Sequence, residues 1–160
     1  MSAITIHNLV KKLSPECHQQ LEEAVALCHK NGHEAVELIH LLKAIISSKD
    51  KLAGEAINHL GVNPTELIKS IDLKLKNLSS SVSTTPALSS HLITWLRKSW
   101  TYASIEFNCE RISSSHLLYA LIDNDELNTI LFQISPSFSS AKVSLLSELC
   151  KEKVNENIPS

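Results

Sequence analysis

The sequence of 160 residues predicts an all-α fold, in which two similar four-helix units follow one additional N-terminal helix. Only 3 glycines and 5 prolines are present, too few for the many tight turns of an all-β fold. Apolar residues instead recur at the three- and four-residue spacing of amphipathic helices along most of the chain. A helical pattern in the first half also occurs in the second half, which indicates a duplicated unit.

The chain begins with a short amphipathic helix, because residues at positions i, i+3, i+4 and i+7 form one apolar stripe. The stripe consists of Ile6, Leu9, Val10 and Leu13. A longer helix should start directly afterwards, since Ser14 can cap it, Pro15 fits its first turn and Glu16 favours its positive end. An Asn-Gly pair at 31–32 supplies a left-handed stop, so we expect this helix to cover about residues 15–30.

Seven more helices are expected from apolar periodicity and from stop and start signals such as Gly61 and Pro64. Their ranges in chain order are about 38–47, 51–60, 64–75, 89–107, 114–123, 125–134 and 138–153. Trp95 and Trp100 should both anchor the core. The expected organisation is an N-terminal helix at 1–13, a first unit at 14–77, a polar linker at 78–88, a second unit at 89–150 and a polar tail at 151–160.

The duplication is visible in a His-Leu-Leu tripeptide that occurs at 40–42 and again at 116–118. In both copies an Ala follows two residues later and an Ile two residues after that. A Leu-Ser pair likewise stands before the long helix of each unit, at 13–14 and at 88–89. Because each unit has one apolar face to bury, we expect the two units to pack against each other.

The composition excludes several classes of partner. The formal net charge of -2 argues against nucleic acid or an anionic membrane, since neutralising phosphates requires a basic surface. No apolar run reaches the roughly 18 to 20 residues of a membrane-spanning helix, and the first residues lack the layout of a signal peptide. Four cysteines without a Cys-x-x-Cys spacing fit thiols in a reducing compartment, so we expect a cytoplasmic protein.

Catalytic and metal-binding patterns are weak. No Gly-x-x-x-x-Gly-Lys-Ser/Thr phosphate loop occurs in the chain, so we expect that it does not itself hydrolyse ATP. His29 and His33 have a metal-ligand spacing, but Gly32 should end the helix between them and spoil the geometry. His40 and His116 should orient the starts of their helices. No Ser or Cys has a base at a catalytic spacing, so a small hydrolase or metal enzyme is the weaker alternative, and no cofactor is expected.

The repeated unit, in which a long helix and a glycine turn precede His-Leu-Leu-x-Ala, resembles the N-terminal double repeat of Clp/Hsp100 unfoldases. The resemblance covers about residues 13–149. Three features are most similar to the branch of the type VI secretion ATPase ClpV (TssH), and the first is the extra helix before the repeats. The others are Leu-Ser-Pro-Glu-Cys-His-Gln-Gln-Leu-Glu-Glu-Ala at 13–24, and Trp-Thr-Tyr-Ala-Ser at 100–104 with Arg-Ile-Ser-Ser-Ser-His-Leu-Leu at 111–118.

The resemblance implies a binding function rather than catalysis. In that branch the N-domain recognises a helix of the large subunit (TssC/VipB-like) of the contracted sheath, and the ATPase rings of a hexamer then disassemble the sheath. ATP would bind only in those ATPase domains. A rival within the same superfamily is an N-domain that binds adaptors or substrates for a proteolytic or disaggregating Clp ATPase. One departure is Leu38, since the family usually has a small capping residue two before the repeat histidine, as Ser114 is in the second unit.

The apolar stripe of the first helix has two possible roles. It can close over the core, which the pattern by itself favours, or it can border an apolar groove that accepts a partner helix. The resemblance favours the groove. The residues expected to line it are Ile6, Leu9, Val10, Leu13, Leu21, Ala24 and Val25, together with Leu88 and Leu92 from the second unit.

Overall fold

The computed structural model describes residues 5–78, 87–136, 138 and 141–151, and within them the chain is all-α as predicted. The α-helices are α1 (Ile6–Lys11), α2 (Pro15–Lys30), α3 (Leu38–Ser47), α4 (Lys51–Leu60), α5 (Pro64–Lys76), α6 (Ser90–Thr101), α7 (Ser114–Asp123), α8 (Asp125–Ile134) and α9 (Ser147–Cys150). A π-helical turn, Tyr102–Glu106, extends α6, and a 3-10 turn, Val143–Leu145, precedes α9. No helix in these ranges is long and apolar enough to cross a membrane.

Local capping explains where most helices begin and end. The Ser14 hydroxyl accepts the Cys17 N–H at 3.2 Å, and the Ser89 hydroxyl accepts the Leu92 N–H at 3.1 Å, so equivalent serines start α2 and α6. Gly61 adopts φ 71°, the left-handed conformation that stops α4. The predicted bounds of α2, α3, α4, α7 and α8 are confirmed.

The two units are joined by short strand pairings that sequence periodicity did not predict. Strand β1 (Ala35–Val36) pairs in parallel with β2 (Ala87–Leu88), and Leu13 forms an equivalent parallel bridge with Ile112. Each pairing continues into the same backbone bond, from Ser89 N–H to Val36 O and from Ser14 N–H to Ile112 O, both at 2.9 Å. In each unit, a backbone carbonyl shortly before α3 or α7 therefore accepts the N–H of the residue that precedes the long helix of the opposite unit.

The expected linker at 78–88 overlaps this arrangement. Residues 79–86 lie outside the described residues, but Ala87 and Leu88 form β2 and are paired, so the linker prediction was wrong at its end. A polar sequence such as the one before Ala87 carries no signal for a two-residue strand, because the strand depends on a partner 52 positions earlier in the register Ala35↔Ala87.

The core runs continuously through both units and includes Trp95, which is completely buried. Its indole N–H donates to the Leu117 carbonyl at 2.8 Å, which satisfies the one polar group of the side chain. The prediction that Trp95 anchors the core is confirmed. Trp100 is only partly buried, and the Lys12 ammonium lies 4.9 Å from its ring centroid, so its expected role as a core anchor was only partly right.

Two helices of the second unit differ from their predicted ranges. The helix expected at 89–107 stays α-helical only to Thr101 and continues as the π-helical turn to Glu106. Asn108, two residues beyond that turn, has φ 52°. Where one helix was expected at 138–153, the described residues 141–151 contain the 3-10 turn Val143–Leu145 and α9, Ser147–Cys150, rather than one continuous helix. Side chains of α7 engage the last carbonyls of this segment, and Ser115 Oγ donates to Leu149 O at 2.9 Å. These hydrogen bonds hold the segment against α7 through the backbone carbonyls of the segment.

Candidate functional site

Helix α1 presents two different faces. Leu9 and Leu13 are 1% and 3% exposed and belong to the core, whereas Ile6 and Val10 are partly exposed at its edge. Successive residues of an α-helix are separated by about 100°, so Leu9 and Val10 must point in clearly different directions. The predicted apolar stripe is therefore split into a face that closes over the core and an edge that stays partly exposed.

The second unit holds α1 at its C-terminal end. Arg111 Nη1 donates to the carbonyls of Lys11 and Leu13 at 3.1 and 3.3 Å, and the Ile112 N–H donates to the carbonyl of Lys12 at 2.7 Å. Helix α1 packs chiefly against α6, on which Trp100 lies under the Lys12 ammonium. These contacts fix the C-terminal end of α1 against the second unit.

The remaining predicted groove residues divide in the same way. Leu21 and Ala24 of α2 and Leu92 of α6 are 7%, 0% and 0% exposed, so they lie in the core. Val25 of α2 and Leu88 of β2 are partly exposed. Of the nine predicted residues, Ile6, Val10, Val25 and Leu88 are thus the ones with surface available to a guest helix as the chain stands. The groove itself stays a prediction.

An apolar cavity of about 320 Å³ lies elsewhere, between the start of α3, the end of α5, α6 and α8. Its lining consists of Glu37, Leu38, Ile39, Lys74, Asn77, Leu78, His91, Ile130, Gln133 and Ile134, and includes none of the nine predicted residues. The i, i+4 pair Ile130 and Ile134 was the available sequence signal for an apolar face there.

The repeat histidines both act as helix-start residues. His40 Nδ1 accepts the Glu37 N–H at 2.8 Å, and His116 Nδ1 accepts the Ser113 N–H at 3.0 Å. The expected role in orienting helix starts is confirmed. The N-caps are Glu37 and Ser113, three residues before each histidine, so the capping position was expected one residue too late and Leu38 is no obstacle.

The second nitrogens of the two rings have different partners. Because each Nδ1 accepts an N–H, each neutral ring carries its proton on Nε2. His40 Nε2 lies 2.8 Å from His33 Nδ1, and His116 Nε2 lies 2.7 Å from the Cys150 carbonyl. Burial, reinforced by His33, lowers the pKa of His40 from 6.5 to about 4. Burial also lowers the pKa of His116, although its bond to the Cys150 carbonyl opposes this.

The side chains considered for chemistry are mostly sequestered. Helix α2 ends at Lys30, which leaves His29 exposed while His33 is buried against His40. Within the described ranges, no cluster of three or more His, Cys, Asp or Glu side chains could hold a metal ion. Burial raises the pKa of Cys17 to about 11 and that of Cys150 to about 12, so both thiols are protonated near neutral pH and poorly nucleophilic.

The family model of the Clp repeat (R) N-terminal domain matches residues 12–134. The chain belongs to the Clp N-terminal domain family. Among relatives of this Clp N-domain, the chaperone protein ClpB of Yersinia enterocolitica is 30% identical over 145 residues, which is 91% of this chain. The AAA+ ATPase ClpV1 of Pseudomonas aeruginosa PAO1 is 27% identical over 154 residues, or 96% of the chain. The chain spans only 16% and 17% of these two proteins.

This Clp N-domain is similar to solved structures from work on ClpV. A structure from work on the coevolution of the ATPase ClpV, the TssB-TssC sheath and the accessory HsiE protein matches with a TM-score of 0.83 and 26% identity, over 92% of both chains. A complex of a ClpV N-domain with a VipB peptide matches with a TM-score of 0.75 over 92% of this chain and 95% of that one, and at 20% identity it supports the fold alone. The predicted resemblance to the ClpV N-domain is confirmed.

Proposed function

We propose that this Clp N-domain is the substrate-recognition domain of a ClpV-like AAA+ ATPase and binds a helix of a type VI sheath subunit. The observation that carries the proposal is α1, which precedes the start of the family match at residue 12 and offers an apolar edge to a partner. The structure at 26% identity, solved in work on ClpV and its TssB-TssC sheath, supports the same assignment. The domain would be non-catalytic, with ATP bound in separate ATPase domains.

The proposed guest is an amphipathic helix that lies along α1. Ile6 and Val10 would contact its apolar residues from α1, and Val25 and Leu88 would extend the contact onto α2 and β2. The buried residues Leu9, Leu13, Leu21, Ala24 and Leu92 would support this surface from below rather than touch the guest.

The isolated domain should bind its guest with a Kd on the order of micromolar, because a short helix buries little area and must first become ordered. Several domains on one hexamer would raise the apparent affinity by avidity. The proposed setting is the cytoplasm, and buried thiols such as Cys17 and Cys28 fit a reducing compartment.

The test is a titration of the labelled domain with the VipB peptide, followed by amide chemical shifts. We expect the largest perturbations at Ile6, Val10 and Val25. Val10→Glu should weaken binding by at least about tenfold, because a charge would be buried against an apolar guest. Leu73→Glu is the matched control, since Leu73 is an exposed apolar residue of α5, and it should bind normally. Perturbations that avoid α1, or equal losses in both variants, would refute the proposed surface.

A second candidate is the N-domain of a disaggregating Clp ATPase, because ClpB of Yersinia enterocolitica is 30% identical over 91% of the chain. Such a domain should bind an unfolded model protein, for example reduced carboxymethylated α-lactalbumin, without preference for the sheath peptide. If the unfolded protein binds and the VipB peptide does not, this second function replaces the first.

A further inference from the structure

Three successive carbonyls, the last one of α1 and the two that follow it, receive donors from the second unit. Arg111 Nη1 bonds the carbonyls of Lys11 and Leu13 at 3.1 and 3.3 Å, and the Ile112 N–H bonds that of Lys12 at 2.7 Å. The last carbonyls of an α-helix have no N–H donor in the regular intrahelical pattern, so donors from elsewhere can fix the end of the helix. The carbonyls of Leu9 and Val10 accept from the N–H groups of Lys12 and Leu13, whereas the carbonyls of the next three residues accept from donors about 100 positions later in the chain.

A helix as short as α1 cannot define its own orientation. It has 6 residues, well below the roughly 12 to 15 at which isolated helices become marginally stable. At its N-terminal end the one described cap is the exposed bond from the Asn8 N–H to Thr5 Oγ1, at 3.2 Å. Leu9 is buried in the core, and Ile6 and Val10 pack at its edge, so burial restrains the helix along one side. The bonds from Arg111 and Ile112 fix its C-terminal end.

We propose that Arg111 is a positioning residue for the guest site, because it holds α1 at the angle that exposes Ile6 and Val10. The proposal rests on the proposed function, since it concerns the affinity of the same surface. Arg111 itself lies at the end of α1 away from Ile6 and need not touch the guest. Its side chain is exposed, so its contribution falls on the local order of α1 rather than on the global stability of the domain.

The arginine is suited to this position because one guanidinium nitrogen carries two N–H groups in a fixed plane. Those two donors match two carbonyls that lie on the same side of the chain, those of Lys11 and Leu13. A lysine at position 111 could reach one of the two carbonyls but lacks the planar fork. Arg111→Lys should therefore recover part of the effect of Arg111→Ala.

The experiment uses the whole chain and compares wild type, Arg111→Ala, Arg111→Lys and Lys69→Ala, the last of which removes an exposed positive charge from α5. Hydrogen exchange at the amides of Leu9, Val10, Lys12 and Leu13 reports the order of α1, and calorimetry with the VipB peptide reports affinity. In Arg111→Ala we expect these amides to exchange on the order of tenfold faster, and the peptide Kd to rise by a similar factor, with an unchanged Tm. Lys69→Ala should match wild type in all three readouts.

The outcomes separate the two proposals. Unchanged exchange at α1 in Arg111→Ala overturns the positioning role, as does faster exchange with an unchanged peptide Kd. A fall in Tm together with uniformly faster exchange would also overturn it, because Arg111 would then be a general stabilising residue. If wild type itself fails to bind the peptide, the proposed function fails, and the exchange rates alone decide whether Arg111 holds α1.

Discussion

The domain should lose stability as the pH falls below neutrality because His40 is buried in its neutral form. In the folded chain its pKa is lowered from 6.5 to about 4, first by burial and then by His33. A group whose folded pKa is depressed favours folding above its unfolded pKa, and that contribution is lost as the pH falls from 6.5 towards 4. The neutral ring is needed because Nδ1 accepts the Glu37 N–H at 2.8 Å, and a protonated ring has no acceptor.

The magnitude follows from the two pKa values. At about 1.4 kcal/mol per pH unit, the interval from 6.5 to about 4 corresponds to roughly 3 kcal/mol when the ring is fully protonated in the unfolded chain. Between pH 7.5 and pH 5.5 the same two pKa values predict that the free energy of unfolding falls by about 1 kcal/mol. The lowered pKa of His116 acts in the same direction, so the observed loss should be larger than the part due to His40.

The assay is urea unfolding at several pH values from 8 to 5, combined with an NMR titration of the histidine ring protons in wild type. His40→Gln should be less stable at pH 7.5 and should lose less stability on acidification than wild type. His91→Gln is the control, since His91 is exposed, and its pH dependence should be that of wild type. A His40 ring that titrates at pH 6 or above would refute the reasoning without any variant, as would an unchanged slope in His40→Gln.

Three further substitutions test the local physics of the fold by urea unfolding. Gly61→Ala should destabilise the chain by about 1 kcal/mol because φ is 71° at this position. Gly54→Ala, inside α4, should instead stabilise the chain by about 0.5 to 1 kcal/mol. An added Cβ meets no atom within 4 Å at either site, so equal effects of the two substitutions would contradict a conformational origin. Trp95→Phe should cost about 1 to 3 kcal/mol, because the buried Leu117 carbonyl loses its donor at 2.8 Å, and a cost near zero would mean that the carbonyl finds another partner.

The helices were predictable because their signals are local. Ser14 and Gly61 are capping residues whose effect depends on a few neighbours, and the sequence pattern placed them correctly. The parallel pairing of β1 with β2 was not predictable, since it joins two-residue segments from different units and has no periodicity of its own. The shortened last helix was missed for the same reason, because α7 holds its carbonyls from outside.

For the candidate site, the sequence pattern identified apolar residues but not which of them would be exposed. A stripe at i, i+3, i+4 and i+7 identifies which residues are apolar, and it cannot say which of them a neighbouring unit will cover. In the structure the covered pair is Leu9 and Leu13 and the accessible pair is Ile6 and Val10. The difference depends on long-range packing, since α1 lies against α6 and bonds to Arg111 and Ile112, all of which are distant in sequence.

Residues 111–116 of the second unit contact two segments, the end of α1 and the stretch that contains α9. Arg111 and Ile112 hold the end of α1, while Ser115 and His116 bond the carbonyls of Leu149 and Cys150 at 2.9 and 2.7 Å. In the first unit the matching histidine, His40, bonds the His33 ring instead. A histidine that caps its own helix with Nδ1 keeps Nε2 for a second partner. The capping geometry is therefore the same in both units, while Nε2 bonds a neighbouring side chain in the first unit and the backbone of α9 in the second.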